Sequence, residues 1–179
     1  MADVQAAKRY AQAAFQIATS TPGAALGQWR SDLGDIAEVL TDSPAAGILA
    51  NSKVPMASRV AMVGRVLDVS PAALNVARLL VSKGRSQDAR AVSDAFNRMA
   101  DDHEGIANAR ITTAVELSPE QLAAIEQQLS ASLGKRVVAV ATVDPAIIGG
   151  VVVRVGDKLI DGSVRARLKR LRAELEGVR

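Results

Sequence analysis

The chain has 179 residues, of which 49% are hydrophobic and only 2% aromatic, and its formal net charge is +3 at pH 7. This length allows one large domain or two small ones, and the hydrophobic content is ample for a packed core. The scarcity of aromatic residues argues against a stacking platform for single-stranded nucleic acid, and the absence of cysteine excludes disulfides and thiolate metal sites.

The first part of the chain predicts a helix over residues 4–18. Four alanines recur on one face of this helix, at positions 7, 11, 14 and 18, and such a small-residue face lets another helix come close. The turn at Pro22 and Gly23 ends it. Large apolar residues then recur at three- and four-residue steps from Leu26 to Leu40 and predict a second helix.

Proline and glycine signals divide the following residues into four more helices. Ser43 and Pro44 predict a short third helix through Leu49, and an apolar pattern over residues 56–67 predicts a fourth. A fifth helix starts at Pro71 and ends at Gly84, which suits a left-handed cap, and a sixth follows from about residue 86. Six helices joined by short turns predict a compact helical bundle.

Near residue 105 the spacing of the apolar residues changes from the three- and four-residue steps of a helix to the alternation of a strand. Residues 109–117 alternate as in a strand, and residues 118–121 (Ser-Pro-Glu-Gln) form a capping box that opens a helix. Leu122, Ile125 and Leu129 should point inward from that helix, and a strand follows over residues 137–143. We therefore expect a mainly α chain with a small α/β part: a six-helix bundle over residues 1–105 and a domain of hairpin strands and two helices over residues 106–179.

The most informative stretch is residues 143–175. Gly149 and Gly150 permit a close backbone approach, residues 151–155 predict a well-buried strand, and a tight turn at residues 156–157 leads into a second strand. The closing helix should pack its apolar stripe on the sheet; the stripe consists of Val164, Leu168, Leu171 and Leu175. From residue 154 to the end there are eight Lys or Arg and four Asp or Glu, so the basic charge belongs to this segment.

This stretch resembles the C-terminal signature of the delta subunit of bacterial F-type ATP synthases, whose mitochondrial relative is the oligomycin-sensitivity-conferring protein. The matching residues are Ile-Ile-Gly-Gly at 147–150, Gly-Asp at 156–157 and Ile-Asp-Gly-Ser-Val-Arg-Ala-Arg-Leu at 160–168. Residues 8–15 resemble the opening helix of that family and residues 80–85 resemble its helix-ending motif. The resemblance therefore extends over the whole chain.

The resemblance implies a non-catalytic stator subunit of the peripheral stalk, with no cofactor and no metal. It implies that the helical domain docks on the alpha/beta hexamer and grips an N-terminal helix of an alpha subunit, and that the second domain docks on the b-type stalk subunits. It also implies a peripheral location at the cytoplasmic face of the bacterial plasma membrane, reached only through the complex. The N-terminus shows no signal-peptide pattern, and no segment is expected to span a membrane.

The same resemblance directs attention to two sets of candidate contact residues. For the alpha-subunit contact the candidates are Tyr10, Ala13, Ala14, Trp29, Asn75, Leu79 and Arg85. For the stalk contact, or for a scaffold that only holds the hairpin to the last helix, the candidates are Gly150, Arg154, Asp161, Gly162, Arg165 and Arg167.

Other readings of the residues stay open at this point. The basic last helix also suits a basic adaptor or an RNA-associated module. The acidic run with the single histidine, residues 101–104, is better explained as a solvated helix end than as a metal site, since four adjacent helical residues cannot all face one ion. Gly149-Gly150 and Gly156-Asp157-Lys158 do not form a phosphate loop, because the lysine is not followed by Ser or Thr and does not open a helix. The sequence also shows no pairing of a nucleophile with a base that would indicate an enzyme.

Overall fold

A computed structural model describes residues 4–21 and 25–176 of the chain. The predicted turn at Pro22 and Gly23 and the final Arg179 lie outside these residues. The chain divides into two compact units, Met1–Ala100 and Asp101–Arg179. The sequence placed this boundary at residue 105, at the end of the sixth helix. The observed division comes earlier because the last turn of that helix bonds to the second unit: Asp101 accepts a hydrogen bond from Asn108, and Asp102 pairs with Lys135.

The first unit is helical. Its long helices are joined by short connections, and the last of them is preceded by a single 3-10 turn, Ser86–Asp88. The helices are α1 (Val4–Ser20), α2 (Leu26–Thr41), α3 (Ala46–Ala50), α4 (Met56–Val66), α5 (Pro71–Ser82) and α6 (Ala89–Glu104), whose last turn from Asp101 onward belongs to the second unit.

The alanine face of α1 is the predicted small-residue face, and it is buried in the core of this unit. Its four alanines, Ala7, Ala11, Ala14 and Ala18, are at most 3% exposed. Because an alanine side chain ends at Cβ, this face lets α1 lie close to the large residues of the same core. Among these, Trp29 stacks on Phe96 with ring centroids 6.0 Å apart.

A buried carboxylate ties α2 to the start of α5. Asp32 is 1% exposed, and its Oδ2 accepts a hydrogen bond of 3.1 Å from the backbone N–H of Ser70, the residue that caps α5. Its Oδ1 accepts a second bond of 2.7 Å from the amide of Gln28. A buried carboxylate is tolerated only when it is satisfied in this way. Asp32 therefore fixes the position of α5 relative to α2.

Two predicted element boundaries are wrong. The third helix begins at Ala46 and not at Ser43, because the Ser43 hydroxyl donates back to the carbonyl of Val39 and accepts from the N–H of Ala45, which makes a turn at this point. The first strand ends at Thr113 and does not reach Leu117. There the hydroxyl of Thr113 donates to the carbonyl of Val115, which bends the chain out of the sheet.

The second unit is a four-stranded mixed sheet with two helices. Its elements are β1 (Ile106–Thr113), α7 (Pro119–Leu133), β2 (Arg136–Val143), β3 (Val151–Val155), β4 (Lys158–Asp161) and α8 (Val164–Glu176). The strand order is β2-β1-β3-β4. β3 and β4 form the predicted hairpin, but β1 and β2 run parallel with α7 as the crossover between them, a pairing that the expected hairpin strands did not include.

The capping box at residues 118–121 is confirmed. The backbone N–H of Ser118 donates to the side-chain oxygen of Gln121, and the N–H of Gln121 donates to the Ser118 hydroxyl. α7 then covers one face of the sheet with the predicted residues Leu122, Ile125 and Leu129, which pack against the small core of this unit. That core consists of Ala109, Ile111, Val137 and Val153. The fold class read from the sequence, mainly helical with a small sheet, is confirmed.

The burial of α1 predicts different costs for two neighbouring substitutions. Ala14→Leu adds three carbons to a closed core and should lower the free energy of unfolding by about 1–3 kcal/mol. Ala13→Leu lies on the exposed side of the same turn and should change it by no more than about 0.5 kcal/mol. Urea unfolding followed by the fluorescence of Trp29, which lies in this core, measures both. Equal costs would contradict the observed orientation of α1.

Candidate functional site

The helical unit has a cleft between the end of α1 and the start of α5. Ile17 and Thr21 line it at the end of α1, Ala25, Gln28 and Trp29 line it at the start of α2, and Ser70, Pro71 and Ala72 line it at the start of α5. Its volume is about 520 Å³, and its surface is mostly apolar. Such a cleft suits an apolar side chain of a partner better than a charged ligand.

The candidate residues for the alpha-subunit contact divide into exposed and buried groups. Ala13, Asn75 and Leu79 are exposed. Two others are half-buried, Tyr10 and Arg85, and the guanidinium of Arg85 lies 3.3 Å from the carboxylate of Asp88.

One of the remaining two candidates needs a correction. Ala14 is 0% exposed, so its side chain is not available for contact, whereas Trp29 is 4% exposed but lines the cleft. The close helix approach that Ala14 permits is therefore the approach of α1 to its own core. The sequence suggested a contact face because small residues mark close packing, but spacing alone does not say whether the packing is internal.

The sequence-based set omitted Ile17. This residue is 44% exposed and lines the cleft, and Leu79 on α5 is 43% exposed. Ile17 lies four residues after Ala13, so both occupy one side of α1. A large apolar residue on the polar side of an amphipathic helix was the signal that could have identified it.

In the second unit, the junction between the hairpin and α8 depends on two glycines. Gly150 has a φ of +78°, and a Cβ added there would lie 2.4 Å from the carbonyl oxygen of Gly162. Two backbone hydrogen bonds of 2.9 Å join the same segments, from Gly162 N–H to Val151 and from Val164 N–H to Gly149. Gly150 and Gly162 thus hold α8 to the hairpin, which is the scaffold role considered from the sequence.

The start of α8 is capped by side chains. The carboxylate of Asp161 accepts a hydrogen bond of 2.9 Å from the backbone N–H of Ser163, and the Ser163 hydroxyl accepts one of 3.1 Å from the N–H of Ala166. The hydrogen bond from the Ser163 backbone lowers the pKa of Asp161, and the nearby Arg170 and Arg165 act in the same direction. Asp161 therefore remains charged at neutral pH and serves the junction.

The apolar stripe of α8 is exposed, and the expectation that it packs on the sheet is wrong. Leu168 and Leu171 are each 52% exposed and Leu175 is 69% exposed. α8 meets the 3-10 turn Pro145–Ile147, so its first turn is held while its apolar side faces solvent further along. The sheet consequently lacks that cover, and the strand Val151–Val155, expected to be well buried, has Val153 as its one buried residue.

The basic candidates are also at the surface. Arg165 and Arg167 on α8 are exposed, and so is Arg154 on β3. Arg165 and Arg167 lie on the same helix as the exposed apolar stripe, and that combination offers a partner helix both apolar area and positive charge. Of the stalk candidates, then, the three arginines are available for contact and the two glycines and Asp161 build the junction.

Neither a metal site nor a membrane span is evident among residues 4–21 and 25–176. Within them no group of three or more His, Cys, Asp or Glu could hold a metal ion. No helix in this part of the chain has both the length and the apolar character needed to cross a bilayer.

Comparisons with known proteins agree with one another. Residues 6–175 match the model of the family described as ATP synthase delta (OSCP) subunit. A protein of Dehalococcoides mccartyi named ATP synthase subunit delta is 37% identical over 169 residues, covering 94% of this chain and 93% of its own. A protein of the same name from Desulfotalea psychrophila is 34% identical over 175 residues, covering 96% of each.

The fold also has a solved counterpart. A chain in the cryo-EM structure of the Toxoplasma gondii mitochondrial ATP synthase hexamer superposes with a TM-score of 0.67. The identity is 23%, and the match covers 94% of this chain and 96% of the other. At that identity the likeness is one of fold.

The junction predicts a difference between two glycines with positive φ. Either Gly150→Ala or Gly156→Ala should cost about 1–2 kcal/mol for the left-handed backbone. Gly150→Ala should cost about 1–3 kcal/mol more, because its Cβ meets the Gly162 carbonyl, whereas a Cβ at Gly156 meets nothing within 4 Å.

Amide hydrogen exchange of the β3–β4 hairpin and the first turn of α8 measures this difference. Gly150→Ala should lose protection across both segments, and Gly156→Ala should lose it mainly at the hairpin turn. The same loss in both variants would show that the close approach of Gly150 to Gly162 does not hold α8.

Proposed function

The chain belongs to the ATP synthase delta (OSCP) subunit family, and we propose that it links two other parts of the enzyme through the two surfaces described above. It is a non-catalytic subunit of the peripheral stalk, and the complex, not this chain, is the enzyme. The observation that carries this function is the family match over residues 6–175, which includes both units. The charge of α8 alone left a basic or RNA-associated adaptor open, and family membership decides for the stalk subunit.

The first proposed link joins the helical unit to the catalytic head. We place the N-terminal helix of an alpha subunit, at the top of the alpha/beta hexamer, along the exposed sides of α1 and α5. Ile17 and Leu79 supply exposed apolar area there, and the cleft at the start of α5 can accept a side chain. An amphipathic helix binds such a surface through apolar residues at three- and four-residue steps.

The second proposed link joins the C-terminal unit to the b-type stalk subunits. The stripe Leu168, Leu171 and Leu175 is an apolar surface with a helical period, and a soluble chain rarely leaves such a stripe uncovered without a partner. Arg165 and Arg167 lie on the same helix and are exposed. Their charge would favour a stalk helix that carries acidic residues beside its apolar seam.

The two links together suggest how the subunit works. Rotation of the rotor exerts torque on the catalytic head, and a stalk that is fixed at both ends prevents the head from turning with it. Each interface must therefore dissociate slowly, which requires buried apolar anchors more than surface charge. The exposed leucines of α8 and the exposed pair Ile17 and Leu79 are residues of that kind.

The subunit associates with the complex peripherally. We place it at the cytoplasmic face of the bacterial plasma membrane, where the head of the proton-translocating enzyme would lie, with its membrane association provided by the stalk. The relatives named ATP synthase subunit delta in bacteria support this placement.

The contact with the alpha subunit predicts a selective loss of binding. Leu79→Asp places a charge on the proposed α5 surface and should weaken binding of an alpha N-terminal peptide at least about tenfold, since about 1.4 kcal/mol of apolar contact is lost. Met56→Asp is the control, because Met56 is 51% exposed on α4 and does not line the cleft. Calorimetric titration measures both; equal affinities in the two variants would remove α5 from the interface.

The contact with the stalk predicts two separable effects. Leu171→Asp should weaken binding of the soluble part of the b-type subunit at every salt concentration, because it removes apolar contact. Arg165→Glu with Arg167→Glu should weaken it mainly at low salt, because exposed charges are screened as ionic strength rises. The charge-matched control is Arg65→Glu with Arg98→Glu, on exposed positions of the first unit. Unchanged binding in Leu171→Asp would show that α8 is not the docking surface.

A further inference from the structure

One face of the four-stranded sheet carries mostly exposed side chains. α7 packs on the face that carries Ala109, Ile111 and Val153. Side chains alternate along a strand, so the residues between these point to the opposite face. We call it the outer face; its residues include Asn108, Arg110, Thr112, Val138, Val140, Val152, Arg154 and Leu159.

The register places four of these residues in one row across the sheet. Val140 of β2 pairs with Arg110 of β1, Arg110 pairs with Arg154 of β3, and Arg154 pairs with Leu159 of β4. Val140 is 66% exposed and Leu159 is 58% exposed, and both arginines are exposed as well. The row therefore reads apolar, basic, basic, apolar from one edge of the sheet to the other.

The two arginines at the centre of the row face each other across β1 and β3, and neither forms an ion pair with a residue that the structure describes. Residues directly opposite on neighbouring strands have their Cβ atoms about 5 Å apart, and like charges there destabilise the pairing. Neither guanidinium makes a hydrogen bond or ion pair with any residue that the structure describes. The hairpin has two acidic residues: Asp157 lies in its turn, and Asp161 pairs with Val152 and accepts the N–H of Ser163. An added carboxylate would relieve this repulsion and form charge-assisted hydrogen bonds.

The dimensions of the row fit an α-helix laid across the strands. Neighbouring strands are about 4.8 Å apart, so the row spans about 14 Å. One turn of a helix rises about 5.4 Å, so successive turns bring one side chain over each strand, at about i, i+4, i+7 and i+11. A helix with apolar residues at the two ends of this pattern and acidic residues at the two middle positions would cover all four side chains.

The surroundings of the row favour a protein over RNA as the occupant. Apolar residues flank the arginines on both sides, and a phosphate backbone would make no apolar contact with these flanking residues. Base stacking needs aromatic side chains, and the four aromatic residues of the chain, Tyr10, Phe15, Trp29 and Phe96, all belong to the first unit.

We propose that the outer face of the sheet, through Arg110 and Arg154 with Val140 and Leu159, docks an acidic amphipathic helix of the stalk in addition to the helix surface of α8. This rests on the proposed function for the identity of the partner. It adds Arg110 to the contact, a residue that the sequence did not single out, and it states the partner's chemistry: two carboxylates about one turn apart between two apolar residues.

A synthetic peptide tests the recognition chemistry without the stalk. A helical peptide with Leu, Glu, Glu and Leu at positions i, i+4, i+7 and i+11 is titrated into the full chain, and binding is followed by NMR shifts of the sheet amides. The variant Arg110→Gln with Arg154→Gln should weaken binding at least about tenfold, and so should replacing both Glu of the peptide by Gln. The matched control, Arg65→Gln with Arg98→Gln, should leave it unchanged. Equal binding by wild type and the sheet variant overturns the proposal.

The soluble part of the b-type subunit tests whether this face belongs to the stalk contact. Loss of affinity in the sheet variant as well as in Leu171→Asp supports the proposal. Loss in Leu171→Asp alone overturns it and leaves the stalk function standing. If wild type does not bind the stalk fragment, the stalk function fails, and the peptide titration alone then decides the recognition chemistry.

Wild type and the sheet variant also test two other occupants of the outer face, a single-stranded RNA and a second copy of the chain. A single-stranded RNA that binds the sheet face more tightly than the acidic peptide overturns the proposal in favour of nucleic acid. Sedimentation of the chain alone decides on a second copy: a dimer that is lost in the sheet variant would overturn the proposal, and a monomer in both proteins agrees with it.

Discussion

The second unit depends on one close crossing of the backbone, where residues 149–151 meet residues 162–164. Two hydrogen bonds of 2.9 Å join these segments, and no side chain fits between Gly150 and the carbonyl of Gly162. The crossing fixes where α8 begins and in which direction it leaves the hairpin. Since the helix is held at this end, its apolar stripe lies open along the turns that follow. The exposed surface proposed for the stalk is thus a consequence of the crossing.

The two units differ in how much of their apolar surface is buried. The helical unit closes around a continuous core in which an alanine face, Trp29 and Phe96 are fully enclosed. The second unit has a small core, and it contributes eleven of the sixteen exposed large hydrophobic residues in the part of the chain that the structure describes. The two proposed links require contact area on the surface of the chain. The distribution agrees with a subunit whose second unit completes its packing against other proteins.

Local chemistry made much of the fold predictable from the sequence. The capping box at residues 118–121, the glycine after α5 and the turn at Gly156 each satisfy a requirement of the backbone within a few residues. The alanine face and the apolar period of α2 likewise identified helices that the structure contains. The predicted boundaries were wrong where a side-chain hydroxyl bonds to a backbone carbonyl and makes a turn in place of the expected helix or strand, as at Ser43 and Thr113. The candidate contact residues came from the family resemblance, and they stay predictions.

By itself, the sequence determined most of the helices and strands and the family, because these depend on periodicity, caps and a run of residues with fixed spacing. Only the tertiary structure decided which apolar faces are covered. A periodic pattern shows that one side of a helix is apolar, but not whether the chain's own core meets it, so Ala14 is buried and Leu171 is exposed. The pairing of Arg110 with Arg154 likewise depends on a strand register set by contacts distant in the chain.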